Sequence, residues 1–221
     1  MSAPAEFSAG KMAFRTALTL FVFVIFFTGL LSGAYLWTKP AIDASTAAEK
    51  MKLVSEVLSS HEYDNRLLDD TLPLPATKEL GLDEASVVYR ARKNGEPIAL
   101  IFEAVAPDGY SGKIRLIIAL RSSGHVAGVR VTQHKETPGL GDYIEPKKDK
   151  NKARPWITQF IGMSLAEVND KEWKVKKDGG RLDFHAGATV TPRAVTKAVL
   201  KAVQWATANR DLLFASTGAK P

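Results

Sequence analysis

The chain has 221 residues, 45% of them hydrophobic and 24% charged, with a formal net charge of +6 and no cysteine. That length suits one medium domain plus attachments. The lack of thiols excludes disulfides, thiolate zinc sites and cysteine-ligated iron–sulfur clusters, so any redox role needs another kind of cofactor. Nor does the positive charge point to nucleic acid, because the lysines are scattered and no aromatic-interleaved basic motif is present.

From Thr16 to Trp37 the sequence is uncharged and strongly apolar. At about 1.5 Å per residue this run can cross a hydrocarbon core of about 30 Å, and it predicts a single membrane-spanning helix. A cleaved signal peptide is the competing reading, since Ser32, Gly33 and Ala34 are small. However, signal peptides carry apolar regions of only about 7–15 residues, and Tyr35 and Trp37 fit an interfacial aromatic belt. Lys11 and Arg15 before the span argue for a cytoplasmic N-terminus, a bias reduced by Lys39 at the other end. Pro40 is expected to stop or kink the spanning helix. Ala41 to Leu58 then predicts a second helix, with Ile42, Leu53, Val54, Val57 and Leu58 as its apolar positions, holding the following domain off the bilayer. Ser59 to Leu80, with Pro73 and Pro75, reads as a loop-rich connection.

After Ser86 the apolar period shifts to two. Val87 to Arg92 and Ile98 to Val105 flank Asn94-Gly95, the strongest short hairpin signal. Ile114 to Leu120 and Val126 to Thr132 flank Arg121 to Gly124, predicting a second hairpin and an antiparallel meander of about four strands. One apolar face of such a sheet needs helices to cover it, so the fold class is α+β. Two loops adjoin the strands: Pro107 to Gly112, containing Tyr110, and His134 to Asp142, whose Pro138, Gly139 and Gly141 force a tight backbone. Lys147, Lys148, Lys150, Lys152 and Arg154 form a basic stretch, either a solvated loop or a docking face for an acidic partner. Trp156 to Val168 predicts a short helix, and Lys174 to Gly180 a strand ending in a turn. The four histidines, His61, His125, His134 and His185, are too dispersed to suggest a metal site.

The C-terminal part is organised around Asp183 to Pro192, a glycine-containing turn running into a helix. Pro192 to Asn209 carries Val195, Val199, Ala202, Val203 and Ala206 at helical spacing, with Arg193, Lys197 and Lys201 off that stripe. Thr191 followed by Pro192 is a start signal, the hydroxyl as cap and proline in the first turn. The free amides from Gly187 to Thr191 then offer an anion site, or simply the end of an ordinary capped helix.

The segment Asp183-x-x-Ala186-Gly187-Ala188-Thr189 resembles the acceptor motif of proteins that carry FMN bonded through its phosphate to threonine, with Ala186 standing where that family usually has a hydroxyl. His134 to Asp142, reading HKETPGLGD, is similar to the loop that accompanies this motif in G subunits of the Rnf electron-transport complex and, in altered form, in the C subunit of the sodium-pumping NADH:quinone reductase. Together with the N-terminal span and the GYSG stretch, the resemblance covers nearly the whole chain and favours the Rnf type.

This resemblance implies residues 1–38 as cytoplasmic N-terminus and transmembrane anchor, 39–80 as connection, and 81–221 as a periplasmic covalent FMN-binding domain at the bacterial inner membrane. It implies Thr189 as the attachment point, with Gly187, Ala188 and Thr191 around the phosphate. Thr137, Gly139, Leu140 and Tyr110 are expected beside the flavin ring. Asp183 is implied as a recognition residue for a separate flavin transferase, which takes FAD with a divalent metal and releases AMP. The implied role is an electron relay among the membrane and redox subunits of a complex that couples ferredoxin and NAD electron exchange to ion transport. The alternatives are the quinone-reductase subunit and a flavin-free membrane-anchored assembly module.

Overall fold

The computed structural model describes residues 9–215, and the chain divides into two compact units between Glu49 and Lys50. Helix α1 (Ala9–Val57) starts in the first unit, where its segment Ala9–Ile42 is long and apolar enough to span a membrane, the most apolar 18 residues having a mean hydropathy of 2.2. Its large apolar side chains, among them Phe21, Phe26 and Leu31, are exposed, as expected where lipid is the solvent. The anticipated break at Pro40 does not occur: α1 is a single 49-residue helix with Pro40 inside it. Proline removes one backbone hydrogen bond, but good helix formers such as Ala41, Ala44, Ala48 and Glu49 follow it and sustain the helix.

The second unit is built on a five-stranded antiparallel meander in the order β1-β2-β3-β4-β5, with β1 Thr71–Leu74, β2 Ser86–Lys93, β3 Glu96–Gly109, β4 Gly112–Arg121 and β5 Val126–Gln133. The β2–β3 hairpin turns at Asn94 and Gly95, with φ of 52° and 83°, as the primed turn requires. The fifth strand, β1, was hidden in the stretch expected to be loop. Its Pro73 pairs with Val87 at the sheet edge, the place where a missing N–H is tolerated.

β3 and β4 are buried on both faces, so the expectation of one apolar face is corrected. Leu100, Phe102, Leu116, Ile118 and Leu120 belong to the larger core, covered by the helix α2 (Val190–Ala208) and by the loops after β5. Val195, Val199, Ala202 and Val203 of α2 are fully buried there, and Phe102 meets Trp205 at a centroid distance of 5.8 Å. Ala99, Ile101, Ile117 and Ala119 point the other way, to a smaller core closed by Val54, Val57 and Leu58 at the end of α1. α2 and the last turn of α1 therefore cover opposite faces of the sheet.

Two other expectations fail in the segment between β5 and α2. Trp156 to Val168 is helical only as a 3-10 turn, Trp156–Phe160, and Lys174 to Gly180 is not a strand but a single bridge, Val175 with Leu182, around another 3-10 turn, Lys176–Asp178. Here the apolar residues serve as plugs under the sheet: Trp156, Phe160, Val168 and Trp173 are all buried in the larger core. The buried Asp149 accepts the Trp156 amide at 2.6 Å, fixing the start of the turn. A short helix, α3 (Arg210–Phe214), ends the described chain.

Gly128 on β5 leaves no room for a side chain: a Cβ there would lie 2.4 Å from the carbonyl oxygen of Val57. Replacing it, Gly128→Ala, is expected to destabilise the folded unit by about 1–3 kcal/mol through overpacking against backbone. Urea unfolding of the detergent-solubilised full chain measures this, and an unchanged midpoint would contradict the close packing of α1's last turn on the sheet.

Candidate functional site

Three segments far apart in sequence converge at one end of the sheet. Tyr110 and Ser111 form the tip of the β3–β4 hairpin, between the paired Gly109 and Gly112. Beside them lies the loop after β5, where the Leu140 and Gly141 amides both donate to the Thr137 carbonyl at 3.1 Å. The Gly139 amide donates to Asp142 at 2.8 Å, and Gly139 has a φ of 75° that favours glycine. Across from both is the start of α2. Between these walls is a cleft of about 280 Å³ lined by Tyr110, Glu136, Thr137, Leu140, Gly141 and Gly187 to Thr191.

The turn that feeds α2 is closed by the Ala188 amide donating to the His185 carbonyl at 3.1 Å, with Gly187 at a φ of 85°. Thr189 is the cap residue of α2, but its side chain makes no capping hydrogen bond. The start expected at Thr191 and Pro192 is displaced: they are the second and third residues of the helix. Proline fits because amides of the first turn have no helical acceptor. The Thr191 hydroxyl has a better partner, the buried Glu136 carboxylate. The two threonines thus differ sharply. Thr191 is 1% exposed and its hydroxyl is engaged, whereas Thr189 is half-buried, lines the cleft and has no hydroxyl partner among the described residues. Among the described residues, the amides of Thr189, Val190 and Thr191 donate to no protein acceptor, which leaves an open helix end, of the kind suited to an anion, facing the cleft.

The rim is apolar and open. Tyr110 is 71% exposed, Leu140 51% and Val190 42%, which is unusual for large apolar groups clustered on one cleft. These residues fit FMN: a free hydroxyl and unpaired amides for the phosphate end, and exposed apolar walls for a flat ring. The volume lies near the lower end of small-molecule sites, about 300–1,000 Å³, so a ring held here remains partly uncovered.

Of the residues expected at the site, Tyr110, Thr137, Leu140, Gly187, Ala188, Thr189 and Thr191 line this cleft. Gly139 does not; it faces an adjoining hollow with Leu140, Lys148, Phe184 and His185, and it shapes the loop from behind. Asp183 is also elsewhere, in a polar concavity with Arg154, Lys176 and Arg181. There its exposed carboxylate pairs with Lys176, and its backbone is held by Trp156 Nε1 at 2.6 Å and by Gln159 Oε1 at 2.9 Å. Sequence reasoning missed Glu136, Gly141 and Val190. Gly141 was the available signal, since its φ of −90° needs no glycine and a Cβ there would meet Glu136 and Thr191 at 2.7 Å.

Behind the turn, Tyr143 stacks on His185 at 3.8 Å, donates its hydroxyl to the Ala188 carbonyl at 3.2 Å and accepts the His185 amide at 3.4 Å. The fold and cleft define a protein with an apolar anchor-like helix and an FMN-binding domain: residues 109–204 match the FMN-binding domain family, and residues 1–57 match the family of the RnfG N-terminal region. Across 201 residues the chain is 45% identical to the G subunit of the ion-translocating oxidoreductase complex of Pseudomonas aeruginosa (strain UCBPP-PA14), covering 91% of this chain and 92% of that protein. Identity is 39% to the corresponding G subunit of Vibrio atlanticus (strain LGP32) over 91% and 93% of the two chains, and 38% to that of Shewanella oneidensis over 90% and 92%. The chain belongs to the family of G subunits of ion-translocating oxidoreductase complexes, which favours the Rnf assignment over the quinone-reductase subunit.

Burial pushes the Tyr143 phenol from its ordinary value of 10.0 up to about 12. The folded protein therefore holds this proton more tightly than the unfolded chain, and the stability it contributes is complete below pH 10 and is lost as the pH rises toward 12. Burial also raises Tyr63 and Tyr89, so the comparison with Tyr143→Phe isolates the effect. Melting temperature against pH is expected to fall less steeply for Tyr143→Phe than for the native chain between about pH 10 and 12. Parallel curves would show that the phenol proton does not support the turn.

Proposed function

We infer that the chain is the electron-relay subunit of an Rnf-type ion-translocating oxidoreductase complex, working through FMN in the cleft between the β3–β4 hairpin and α2. The observation that carries this is the unengaged Thr189 hydroxyl at the open amide end of α2, inside a domain of the FMN-binding family. In this reading Thr189 bears the flavin phosphate covalently. During maturation its oxygen bonds to the FMN-side phosphorus of FAD, the pyrophosphate linkage breaks, AMP departs, and the hydroxyl proton passes to a base of the flavin transferase. Asp183, exposed and away from the cleft, presents its Lys176-paired carboxylate on the surface where that transferase can read it.

Each protein group then has a defined task. The Thr189, Val190 and Thr191 amides and the positive end of the α2 dipole stabilise phosphate charge. Gly187 lets the turn present the acceptor without strain. Tyr110, Thr137, Leu140 and Val190 orient the ring, while their exposure leaves an edge open to a redox partner. When bound, FMN supplies one- and two-electron chemistry that no side chain of this chain has. No residue need act on substrate, so the subunit carries electrons between other members of the complex.

The apolar part of α1 is assigned as the single anchor in the bacterial inner membrane. Lys11 and Arg15 precede its uncharged run from Thr16 to Trp37, which supports a cytoplasmic N-terminus and a periplasmic flavin domain. A covalent link suits that compartment, because a dissociating flavin would be lost by dilution.

Protein purified from a host competent for the modification should fluoresce under ultraviolet light after denaturing electrophoresis, and the peptide from Leu182 to Arg193 should carry the added mass of FMN. Thr189→Ala is expected to abolish both signals while the protein stays folded. Undiminished fluorescence in Thr189→Ala would overturn the assignment of the acceptor.

A further inference from the structure

The cleft has one charged lining residue, and its surroundings look built for it. Glu136 is 4% exposed and both carboxylate oxygens are used: Oε1 accepts the Ser111 amide at 3.0 Å, and Oε2 accepts the Thr191 hydroxyl. Backbone closes around it, since a Cβ on Gly109 would lie 2.9 Å from Oε1 and one on Gly141 2.7 Å from Oε2. Its own amide donates to His134 Nδ1 at 3.0 Å, and His134 Nε2 pairs with Glu145 at 2.8 Å, so the residue is braced from behind. An acceptor on Nδ1 places the imidazole proton on Nε2, directed at Glu145.

We propose that Glu136 is the positioning residue of the flavin cleft, fixing the Tyr110 wall against the first turn of α2, reserving the Thr191 hydroxyl so that Thr189 alone is available, and setting a negative charge in the cleft. This rests on the function inferred above and adds a determinant to it. The geometric part follows from the two donors: they belong to the hairpin tip and the helix, and the carboxylate is their common acceptor. Deleting it frees the two walls to separate and leaves an amide and a hydroxyl unsatisfied. The electrostatic part follows from charge alone. A buried anion near a flavin disfavours added electrons, and with the low local dielectric the effect is larger than in water.

Two variants in the full chain separate these parts. Glu136→Ala removes the clasp and is expected to lower flavin incorporation about tenfold, the loss typical of deleting a buried hydrogen-bonded acceptor. Glu136→Gln keeps the shape and can still bond both partners, accepting from the Ser111 amide and donating to the Thr191 oxygen. It is expected to restore incorporation to within about twofold of native, while the bound flavin becomes easier to reduce and its midpoint potential moves upward. A purely structural role would not shift the potential of a variant that loads normally. Native-level loading of Glu136→Ala, or a native potential in a loaded Glu136→Gln protein, would overturn the proposal. Should Glu136→Ala fail to fold, Glu136→Gln decides alone. Native protein free of flavin would instead overturn the underlying function, and the inference with it.

Discussion

A buried carboxylate that accepts one backbone amide and one hydroxyl holds the functional end of this domain together. Glu136 reaches Ser111, 25 residues before it, and Thr191, 55 residues after it. A carboxylate taken out of water and left without donors costs several kcal/mol, roughly the size of a small domain's whole margin of stability. The three segments are therefore not free to drift independently. A second tie acts in the same sense at the surface, where Lys197 of α2 bonds Asp108 of the hairpin at 2.8 Å and holds that carboxyl below its usual range. Both groups of that pair are well exposed, so salt screens it and it is the weaker of the two.

The sheet beneath makes such a clasp possible. Alternation along β3 sends Leu100 and Phe102 to one core and Ala99 and Ile101 to the other, so the central hairpin is buried on both faces and cannot slip by one residue without exposing a full apolar set. The register then delivers Gly109 opposite Gly112 and sets Tyr110 at the tip. On the helix side, Val195, Val199, Ala202 and Val203 fix the rotation of α2, and that rotation decides that Thr191 points inward to Glu136 while Thr189 faces the cleft. Hydrophobic burial thereby selects which hydroxyl is chemically available.

Elements whose signals are local were readable from the sequence. The Asn94-Gly95 hairpin, the two-residue alternation of β2 to β5 and the buried stripe of α2 depend on periodicity and turn chemistry alone. What could not be read depends on tertiary context. Pro73 argues against a strand unless the strand lies at an edge, and edge position is a property of the sheet. Pro40 ends helices in isolation, but α1 continues through it. Trp156, Phe160 and Val168 show apolar spacing that suggests a helix, whereas only Trp156 to Phe160 forms a 3-10 turn and all three serve as plugs in the larger core. At the candidate site, the turn from Gly187 to Thr191 and the loop residues Thr137 and Leu140, which line one cleft, could be singled out because they lie in short motifs rich in glycine and threonine. Glu136 was not, since a charged residue in a glycine-rich loop looks solvent-facing until the hairpin and helix are placed around it.

The openness of the cleft and the covalent link proposed at Thr189 answer one physical conflict. Electron exchange with other subunits needs a flavin edge left uncovered, and Tyr110, Leu140 and Val190 provide walls without a lid. A cleft of about 280 Å³ that leaves much of its ligand in solvent cannot gather the apolar contact that holds cofactors in deep pockets. Affinity and accessibility thus pull against each other for any reversibly bound ring. In the proposed function, bonding the phosphate to Thr189 removes the conflict, because the ring then samples the cleft at the high effective concentration of a short tether and need not bind tightly. The walls are left only with orientation, a task to which a clasped, preorganised cleft is suited even when it is shallow.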